Sequence, residues 1–257
     1  SRYEALGTDR KVYAYVAGQS QDITPIRETA TLVNAITTTN TSATLTISDS
    51  AHGADVGDFV TLSSVSANVG GILSTVLDAE YEILTITNAS AYTVLSSATA
   101  TSTVGPTANC TANYQLNIGP SEQTFGYGWG SGTWSTSTWG TARATSNVTL
   151  DARLWSINNW GEDLVITQKD GGTYEWDTSG GMSGNRATVI ANAPTTSTLS
   201  MISTETRHVV CMGTETTIGS SATQDKMFIR WSDQENYNYW TPNVTNSAGS
   251  QRIAGGS

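Results

Sequence analysis

Short segments in which apolar and polar residues alternate occupy the stretch between residues 43 and 97. They are "ATLTISD" (43–49), "DFVTLSS" (58–64), "EYEILTITN" (80–88) and "AYTVLSS" (91–97). Successive side chains of a strand point to opposite faces, so a period of two indicates strands with one buried face. Turns that contain Gly or Asn separate these segments. Four or five strands of this kind predict a small β-sandwich or barrel.

The rest of the chain also favours strands. Few stretches repeat apolar residues at the three- and four-residue spacing of a helix. Charged residues make up 13% of the chain, against about a quarter in an ordinary soluble domain, and Gly reaches 24 residues. Ser, Thr and Val are abundant, and β-branched residues fit a pleated surface. The sequence therefore predicts an all-β protein.

Three longer segments resemble one another. They are "YEALGTDRKVYAYVAGQSQDITP" (3–25), "DLVITQKDGGTYEWDTSGG" (163–181) and "HVVCMGTETTIGSSATQDKMFIRWSDQENYNYWTP" (208–242). Each gives an apolar strand, a turn and an aromatic strand. Leu164 and Val210 lie 46 residues apart, within the range of about 40–50 expected for a four-stranded propeller blade. Three or four blades fit the chain, so we expect a partial or incomplete β-propeller-like domain. A β-sandwich with three similar hairpins is the alternative.

Tryptophan marks a boundary in the chain. All eight Trp residues lie between Trp129 and Trp240, and the stretch from about residue 28 to 113 contains none. We interpret residues 29–115 as an inserted small β domain, residues 1–28 as the first propeller-like segment and residues 116–257 as the second. Because the chain begins at Ser1 and ends in "RIAGGS", we expect it to be an ordered part of a longer polypeptide.

The segment "GYGWGSGTWSTSTWG" (126–140) places Trp129, Trp134 and Trp139 five residues apart. An odd spacing on an extended strand puts successive rings on opposite faces, which disfavours a flat sugar-binding platform. Rings on separate strand-turn units would instead pack between sheets, each burying about 150–250 Å². We therefore predict that the three tryptophans act in structural or interface packing.

Four further aromatic residues enter the two hypotheses about binding. Trp160 and Trp240 are predicted to anchor the packing of blades in an assembly. Tyr237 and Tyr239 are the candidate contacts in the alternative, in which exposed aromatic rings stack on sugars.

The residue pattern does not support a catalytic site or a metal site. It contains no P-loop, GxSxG or zinc signature. A glycosidase needs two carboxylates across a cleft, and the available pairs lie beside tryptophans in repeat-like positions. These pairs are Glu162 with Asp163, Glu175 with Asp177, and Asp233 with Glu235. We expect no enzyme activity, no metal and no cofactor.

The histidines support the same expectation. His52 has Asp49, Asp55 and Asp58 nearby, but their spacing does not match an EF-hand, and acidic residues at turns usually cap them. His208 and Cys211 would lie on opposite faces of a strand, which excludes a nucleophile pair.

The charge balance bears on partners. The net charge is −10 with 12 Lys plus Arg, so tight nucleic-acid binding is disfavoured, whereas DNA that passes without sticking is compatible. No apolar run approaches the roughly 18 residues of a membrane span. Cys110 and Cys211 lack a CxxC spacing, and we expect free thiols rather than a disulfide.

Several segments resemble a known class of protein when they are taken together. "GTDRKVYAYVAGQSQDITPIRET", "ARLWSINNWGEDLVITQKDGGTYEWD", "RWSDQENYNYWTPNVTNSAGSQRI" and the Gly-Trp pentads resemble virion structural proteins of tailed bacteriophages, of the podovirus-like tail nozzle or tail hub kind. The segment that begins "HGADVGDFVTLSSV" is similar to a small all-β module inserted in other phage structural proteins.

The resemblance implies a structural subunit of the phage tail, located in the virion. It implies a homo-oligomer, a hexameric ring around the DNA channel, with other phage tail proteins as partners during DNA ejection. The alternative hypothesis is a carbohydrate-binding adhesin or receptor-binding protein. A third hypothesis is a tailspike-type glycan depolymerase.

Overall fold

The computed structural model describes residues 3–119, 153–181 and 184–254. Strands dominate this part of the chain, and its one α-helix is the single turn α1 (Ser74–Leu77). The all-β fold class is confirmed. Contacts between residues divide the chain into a continuous unit, Thr24–Ile118, and a discontinuous unit, Ser1–Ile23 with Gly119–Ser257. The independent folding of an inserted domain over 29–115 stays a prediction.

The strands have the following bounds along the chain: β1 Glu4–Gly7, β2 Val12–Val16, β3 Gln19–Asp22, β4 Ile26–Leu32, β5 Ile36–Thr38, β6 Thr44–Ser48, β7 Phe59–Ser63, β8 Glu80–Asn88, β9 Ala91–Leu95, β10 Val104–Thr107, β11 Cys110–Gln115, β12 Trp155–Trp160, β13 Asp163–Gln168, β14 Thr173–Trp176, β15 Thr188–Val189, β16 Leu199–Ile202, β17 Val209–Met212, β18 Phe228–Trp231 and β19 Gly249–Arg252. Short 3-10 turns lie at Thr178–Gly180 and Ser221–Thr223.

The continuous unit contains an eight-stranded antiparallel sheet in the order β10-β5-β6-β9-β8-β7-β11-β4. Its alternating side chains enclose one apolar cluster. The four segments predicted as strands are β6, β7, β8 and β9. The estimate of four or five strands was too low, because β4, β5, β10 and β11 also join the sheet. The apolar pattern is weak in these strands, because β4 contains Glu28, β5 buries Thr38, β10 contains Gly and Pro, and β11 buries the small residues Cys110 and Ala112.

The discontinuous unit contains three antiparallel sheets of consecutive strands. We call them the first sheet (β1 to β3), the second sheet (β12 to β15) and the third sheet (β16 to β19). The three similar segments of the sequence each fall on a different one of these sheets. The sheets formed by the described residues are open, in agreement with an incomplete propeller-like arrangement.

Apolar clusters join the second sheet to a neighbour on each of its faces. The cluster with the first sheet contains Val12, Ala14, Ile23, Leu164, Ile166, Trp176 and Ala187. The cluster with the third sheet contains Trp160, Val165, Ile190, Ala193, Val209, Cys211 and Trp240. The second sheet is therefore covered on both faces.

Strand β13 shows how the second sheet packs against a sheet on each of its faces. Its run "DLVIT" directs Leu164 and Ile166 towards the first sheet and Val165 towards the third. Thr167 is fully buried, and its hydroxyl donates to Thr173 Oγ1 at 3.1 Å, which satisfies a polar group that would otherwise be costly to bury. A nearly continuous apolar strand is expected where both faces are covered.

A glycine brings the first and second sheets into close contact. A Cβ atom at Gly7 would lie 2.4 Å from Cδ1 of Trp155, so the indole packs directly on the backbone of β1. Trp155 Nε1 also donates to the carbonyl oxygen of Thr8 at 2.7 Å. The ring is therefore fixed by both packing and a hydrogen bond.

Candidate functional site

The outer face of the third sheet, which we call the bare face, carries apolar side chains that no described sheet covers. The strand register places these residues in two rows across the sheet: Leu199, Met212 and Ile229, then Met201, Val210 and Trp231. Leu199 and Met201 are 40% and 43% exposed. The opposite face of the same strands buries Val209 and Cys211 completely against the second sheet. An apolar face of this kind is a candidate contact surface.

Trp231 gives the bare face a fixed aromatic surface. A Cβ atom at Gly249 would lie 2.2 Å from Cζ2 of Trp231, so the indole lies across the glycine of the edge strand β19. Trp231 Nε1 donates to the carbonyl oxygen of Ser247 at 2.9 Å. The ring is half-buried, and its other side is available for contact. Tryptophan is enriched among the residues that dominate the energy of protein interfaces.

The outer face of the first sheet has a different character. It forms a groove of about 480 Å³, which we call the tyrosine groove, lined by Glu4, Ala5, Leu6, Tyr13, Tyr15 and Ser20. Tyr15 is 44% exposed and Leu6 is 63% exposed. Polar and charged side chains lie among the apolar ones, which distinguishes the groove from the bare face.

The predicted assembly residues Trp129, Trp134 and Trp139 lie outside the described residues. Trp160 and Trp240 both pack in the cluster between the second and third sheets, and Trp240 is 1% exposed. Their predicted part in assembly stays a prediction.

Aromatic and cationic contacts fix Trp160 in that cluster. The ring of Tyr237 meets Trp160 edge-on with a centroid distance of 5.2 Å. The guanidinium of Arg207 lies 4.7 Å from the Trp160 ring centroid. Trp240 Nε1 donates to the carbonyl oxygen of Tyr237 at 2.5 Å. This corner of the unit is thus held by packing, cation–π attraction and a hydrogen bond.

The two tyrosines of the sugar-binding alternative differ in their surroundings. Burial raises the pKa of Tyr237, and so do a hydrogen bond to Glu175 and the negative charges nearby. Its ring is half-buried against Trp160. Tyr239 is 56% exposed. Only Tyr239 of this pair presents most of its ring to solvent.

The carboxylates of the second sheet make local hydrogen bonds. Asp163 Oδ1 accepts from the backbone N–H and the hydroxyl of Thr178 at 3.0 and 3.1 Å. Asp177 accepts from the backbone N–H of Ser179, which lowers the pKa of this carboxyl. These groups cap the turn that follows β14.

The carboxylates beside the third sheet act in a similar way. Asp233 accepts from the backbone N–H of Ser247 at 2.8 Å, and this bond is the main cause of its lowered pKa. Glu235 accepts from Arg207 at 3.0 Å on the surface. Both carboxylates therefore form hydrogen bonds or ion pairs that hold the loops beside the third sheet.

The acidic residues near His52 do not converge on one point. Asp49 Oδ2 accepts from the Tyr114 hydroxyl at 2.5 Å. Asp58 accepts from the backbone N–H groups of Asp55 and Ile118, and burial raises its pKa against the effect of these bonds. Among the described residues, no three potential metal ligands come together.

The two histidines bind backbone groups. His52 Nδ1 accepts from the N–H of Ala54 at 3.1 Å, so its Nε2 carries the proton and donates to the carbonyl of Asn88 at 3.1 Å. His208 Nδ1 lies 2.8 Å from the carbonyl oxygen of Ser232.

Both cysteines are free, as the sequence predicted, and the structure places both in the buried core. Burial raises the pKa of the Cys110 thiol and of the Cys211 thiol to about 11. The thiolate, which is the reactive form, is therefore scarce at neutral pH.

Sequence reasoning missed the bare face and the tyrosine groove. The sequence shows that "VYAYV" alternates aliphatic and aromatic residues and that "VVCM" is apolar throughout. It does not reveal which face of each strand packs on the second sheet and which face the other described sheets leave uncovered.

Comparisons with known proteins give little further information. No protein-family model matches this chain, and no curated protein matches it in sequence. Among solved structures, the phage phi92 endosialidase aligns with a TM-score of 0.30 and 16% sequence identity, over 98% of this chain and 37% of the endosialidase chain. The chain thus spans little more than a third of that protein, and a TM-score of this size does not establish a shared fold.

Within residues 3–119, 153–181 and 184–254, no helix has the length and apolar character needed to cross a bilayer.

Proposed function

We propose that the chain is a structural subunit of a bacteriophage tail, of the nozzle or hub kind, that assembles into a homo-oligomeric ring around the DNA channel. The resemblance of its segments to tail nozzle and hub proteins supports the class. The bare face is the observation that carries the role in assembly. The proposed role is structural, and it places the protein in the virion.

The bare face suits a permanent contact between protein chains. Its two rows contain aliphatic, methionine and tryptophan side chains, without a charged residue in either row. Charged residues are depleted at the centre of protein interfaces, whereas aromatic residues and methionine are enriched there. Face-to-face packing of sheets already holds the discontinuous unit together on both sides of the second sheet. A neighbouring subunit that packs on the bare face would continue the same kind of contact.

The charge of the chain agrees with a channel through which DNA passes. A net charge of −10 repels the phosphate backbone on average. Tight binding to DNA depends on Lys and Arg contacts that release counterions from the duplex. An acidic ring would hold the genome weakly and let it move.

The test is to measure assembly and to block the bare face. The purified chain is examined by native mass spectrometry and by negative-stain electron microscopy. Met201→Glu and Trp231→Arg place a charge on the bare face, and each is expected to abolish oligomers. Val189→Glu is the matched control, because Val189 is 69% exposed on the edge strand β15, outside the bare face.

We expect the native chain and Val189→Glu to form a ring with a central channel. We expect Met201→Glu and Trp231→Arg to form no ring. Circular dichroism of each variant checks that the fold is retained. A ring that forms equally well with Met201→Glu and Trp231→Arg would exclude the bare face as the contact. A chain that remains monomeric at every concentration and with purified tail proteins present would contradict the proposal.

A further inference from the structure

The tyrosine groove has a regular composition that the strand register defines. One row across the first sheet reads Glu4, Tyr15, Ser20, from β1 to β3. The next row reads Leu6, Tyr13, Asp22. The groove volume of about 480 Å³ falls in the range of about 300–1,000 Å³ that is usual for ligand pockets. Each row thus has a tyrosine at its centre and at least one polar side chain beside it.

The first row combines the two kinds of contact that a sugar ring needs. A pyranose has an apolar face of C–H groups, which packs on an aromatic ring, and a rim of hydroxyls, which require hydrogen-bond partners. Tyr15 offers the exposed ring, and the Glu4 carboxylate and the Ser20 hydroxyl stand on either side of it. A carboxylate accepts hydrogen bonds from hydroxyls, and a serine hydroxyl can both donate and accept.

The two tyrosines are spaced for an extended ligand. Tyr13 and Tyr15 lie two positions apart on β2, so their side chains leave the same face about 7 Å from each other. Leu6, which is 63% exposed, lengthens the apolar floor beside Tyr13. A chain of sugar rings could therefore contact both aromatic residues in succession.

Charge limits the class of sugar. Lys11 and Arg186 pair with Asp22 at 2.8 and 2.7 Å, and none of these three charged residues belongs to the groove lining, in which Glu4 is the charged residue. Glu4 is exposed, and no ion pair joins it to another described side chain. An anionic ligand would meet the carboxylate of Glu4 and be repelled. An uncharged ligand rich in hydroxyl groups is compatible with all of these residues.

A protein partner fits the groove less well than a sugar does. The centre of a protein interface excludes charge, and burying Glu4 without a cationic partner would be costly. The bare face of the third sheet has no such residue. The two outer faces of the same unit therefore present different chemistry.

We infer that the tyrosine groove is a binding site for a neutral oligosaccharide, with Tyr15 and Tyr13 stacking on sugar rings and Glu4 and Ser20 bonding to their hydroxyls. This assignment does not rest on the proposed role in a phage tail. It also differs from the sugar contacts predicted from the sequence, Tyr237 and Tyr239.

The experiment is a glycan array probed with the full chain. The array carries neutral oligosaccharides of glucose, galactose and N-acetylglucosamine together with anionic glycans. The dissociation constant of the strongest neutral ligand is then measured by calorimetry for four variants. Tyr15→Ala is expected to weaken binding about tenfold, since the stacking contact is lost, and Tyr15→Phe by less than about threefold, since the ring is retained. Glu4→Gln is expected to weaken it by a few-fold.

Tyr239→Ala is the matched control, because it removes an exposed tyrosine outside the groove and is expected to leave the affinity unchanged. Loss of binding with Tyr239→Ala but not with Tyr15→Ala would overturn the assignment. Binding of anionic glycans alone, or of no glycan on the array, would also overturn it. So would a Tyr15→Ala variant that loses self-association and keeps its affinity for glycans, because the groove would then be a protein contact.

Discussion

The second sheet and its two neighbours differ in the number of faces that the described sheets cover. Strand β13 of the second sheet buries four consecutive residues, Leu164 to Thr167. Strand β17 of the third sheet alternates buried and half-buried residues, and β2 of the first sheet also alternates over most of its length. All three sheets are short antiparallel meanders, so the difference does not arise from strand geometry.

This difference teaches that the burial pattern of a central strand depends on how many faces of its sheet are covered. Strand β13, with a sheet on each face, buries a continuous run of residues, whereas β17 buries every second residue. The flanking strands β12 and β14 of the second sheet are only partly buried. The outward residues of the first and third sheets are nonetheless apolar or aromatic at many positions. The excess of apolar surface is what points to ligands or partners on these two faces.

The largest expected effect comes from truncating matched leucines on the second and third sheets. Leu164→Ala removes a side chain that is 2% exposed between two sheets and should lower the free energy of unfolding by about 2–5 kcal/mol. Leu199→Ala removes a side chain that is 40% exposed on the bare face and should cost less than about 1 kcal/mol. Urea denaturation of the monomeric chain measures both. Similar losses for the two variants would show that the outer face is as well covered as the inner one.

A smaller effect is expected from adding a methyl group beneath two tryptophans. Gly7→Ala forces the Cβ against Trp155, which is held between the first and second sheets and cannot move away. We expect a loss of about 1–3 kcal/mol. Gly249→Ala meets Trp231 on the bare face, where the half-buried indole can shift outward only by giving up its hydrogen bond to the Ser247 carbonyl, and we expect a smaller loss than for Gly7→Ala. Thermal denaturation of both variants gives the order, and a larger loss for Gly249→Ala would contradict it.

The smallest effect concerns an ionic contact between the second and third sheets at the solvent edge. Burial alone would raise the pKa of Asp170. Hydrogen bonds from Lys226, Gln224 and Thr198, together with the positive charge of Lys226, outweigh burial and lower this pKa below 3.8. Asp170 has a φ of 55°, which Asn tolerates, so Asp170→Asn keeps the turn. Because the side chain is 40% exposed, screening holds the loss of stability near the low end of about 0–1 kcal/mol.

The pH dependence of that difference has a defined sign. A carboxyl whose pKa is lowered by folding stabilises the protein above its unfolded value of 3.8, and this contribution is lost as the pH falls through the folded pKa. The difference in unfolding free energy between the native chain and Asp170→Asn should therefore be constant near neutral pH and decrease as the pH falls below 3.8. Urea titrations between pH 7 and pH 2 measure it, and a difference that grew on acidification would refute the assignment.

The sequence was sufficient for the parts of the fold that depend on local pattern. Strands β6 to β9 follow from their alternation, and the three similar segments fall on three separate sheets because each contains its own strands and turns. Strand β11 does alternate, but its buried face carries the small residues Cys110 and Ala112, which give a weak apolar signal. In β4 the charged Glu28 shares a face with Ala30 and Leu32 and interrupts the apolar pattern. Their pairing depends on partners far away along the chain.

The candidate surfaces could not be predicted in the same way. The sequence "VYAYV" indicates that Val12 and Ala14 share a face and that Tyr13 and Tyr15 share the other. It does not say which face meets the second sheet, because Leu164 and Ile166 come from the other end of the chain. Tyr15 becomes a binding candidate only when that stacking is known.

The packing of the first sheet on the second has a consequence for synthesis of the chain on the ribosome. Val12, Ala14 and Ile23 leave the exit tunnel well before Leu164 and Ile166, the residues that cover them. Contacts between such distant segments form slowly, and their loop-closure entropy must be overcome first. Strands β1 to β3 therefore keep an apolar side uncovered while the intervening residues are translated, and chaperones bind exposed apolar surface of this kind.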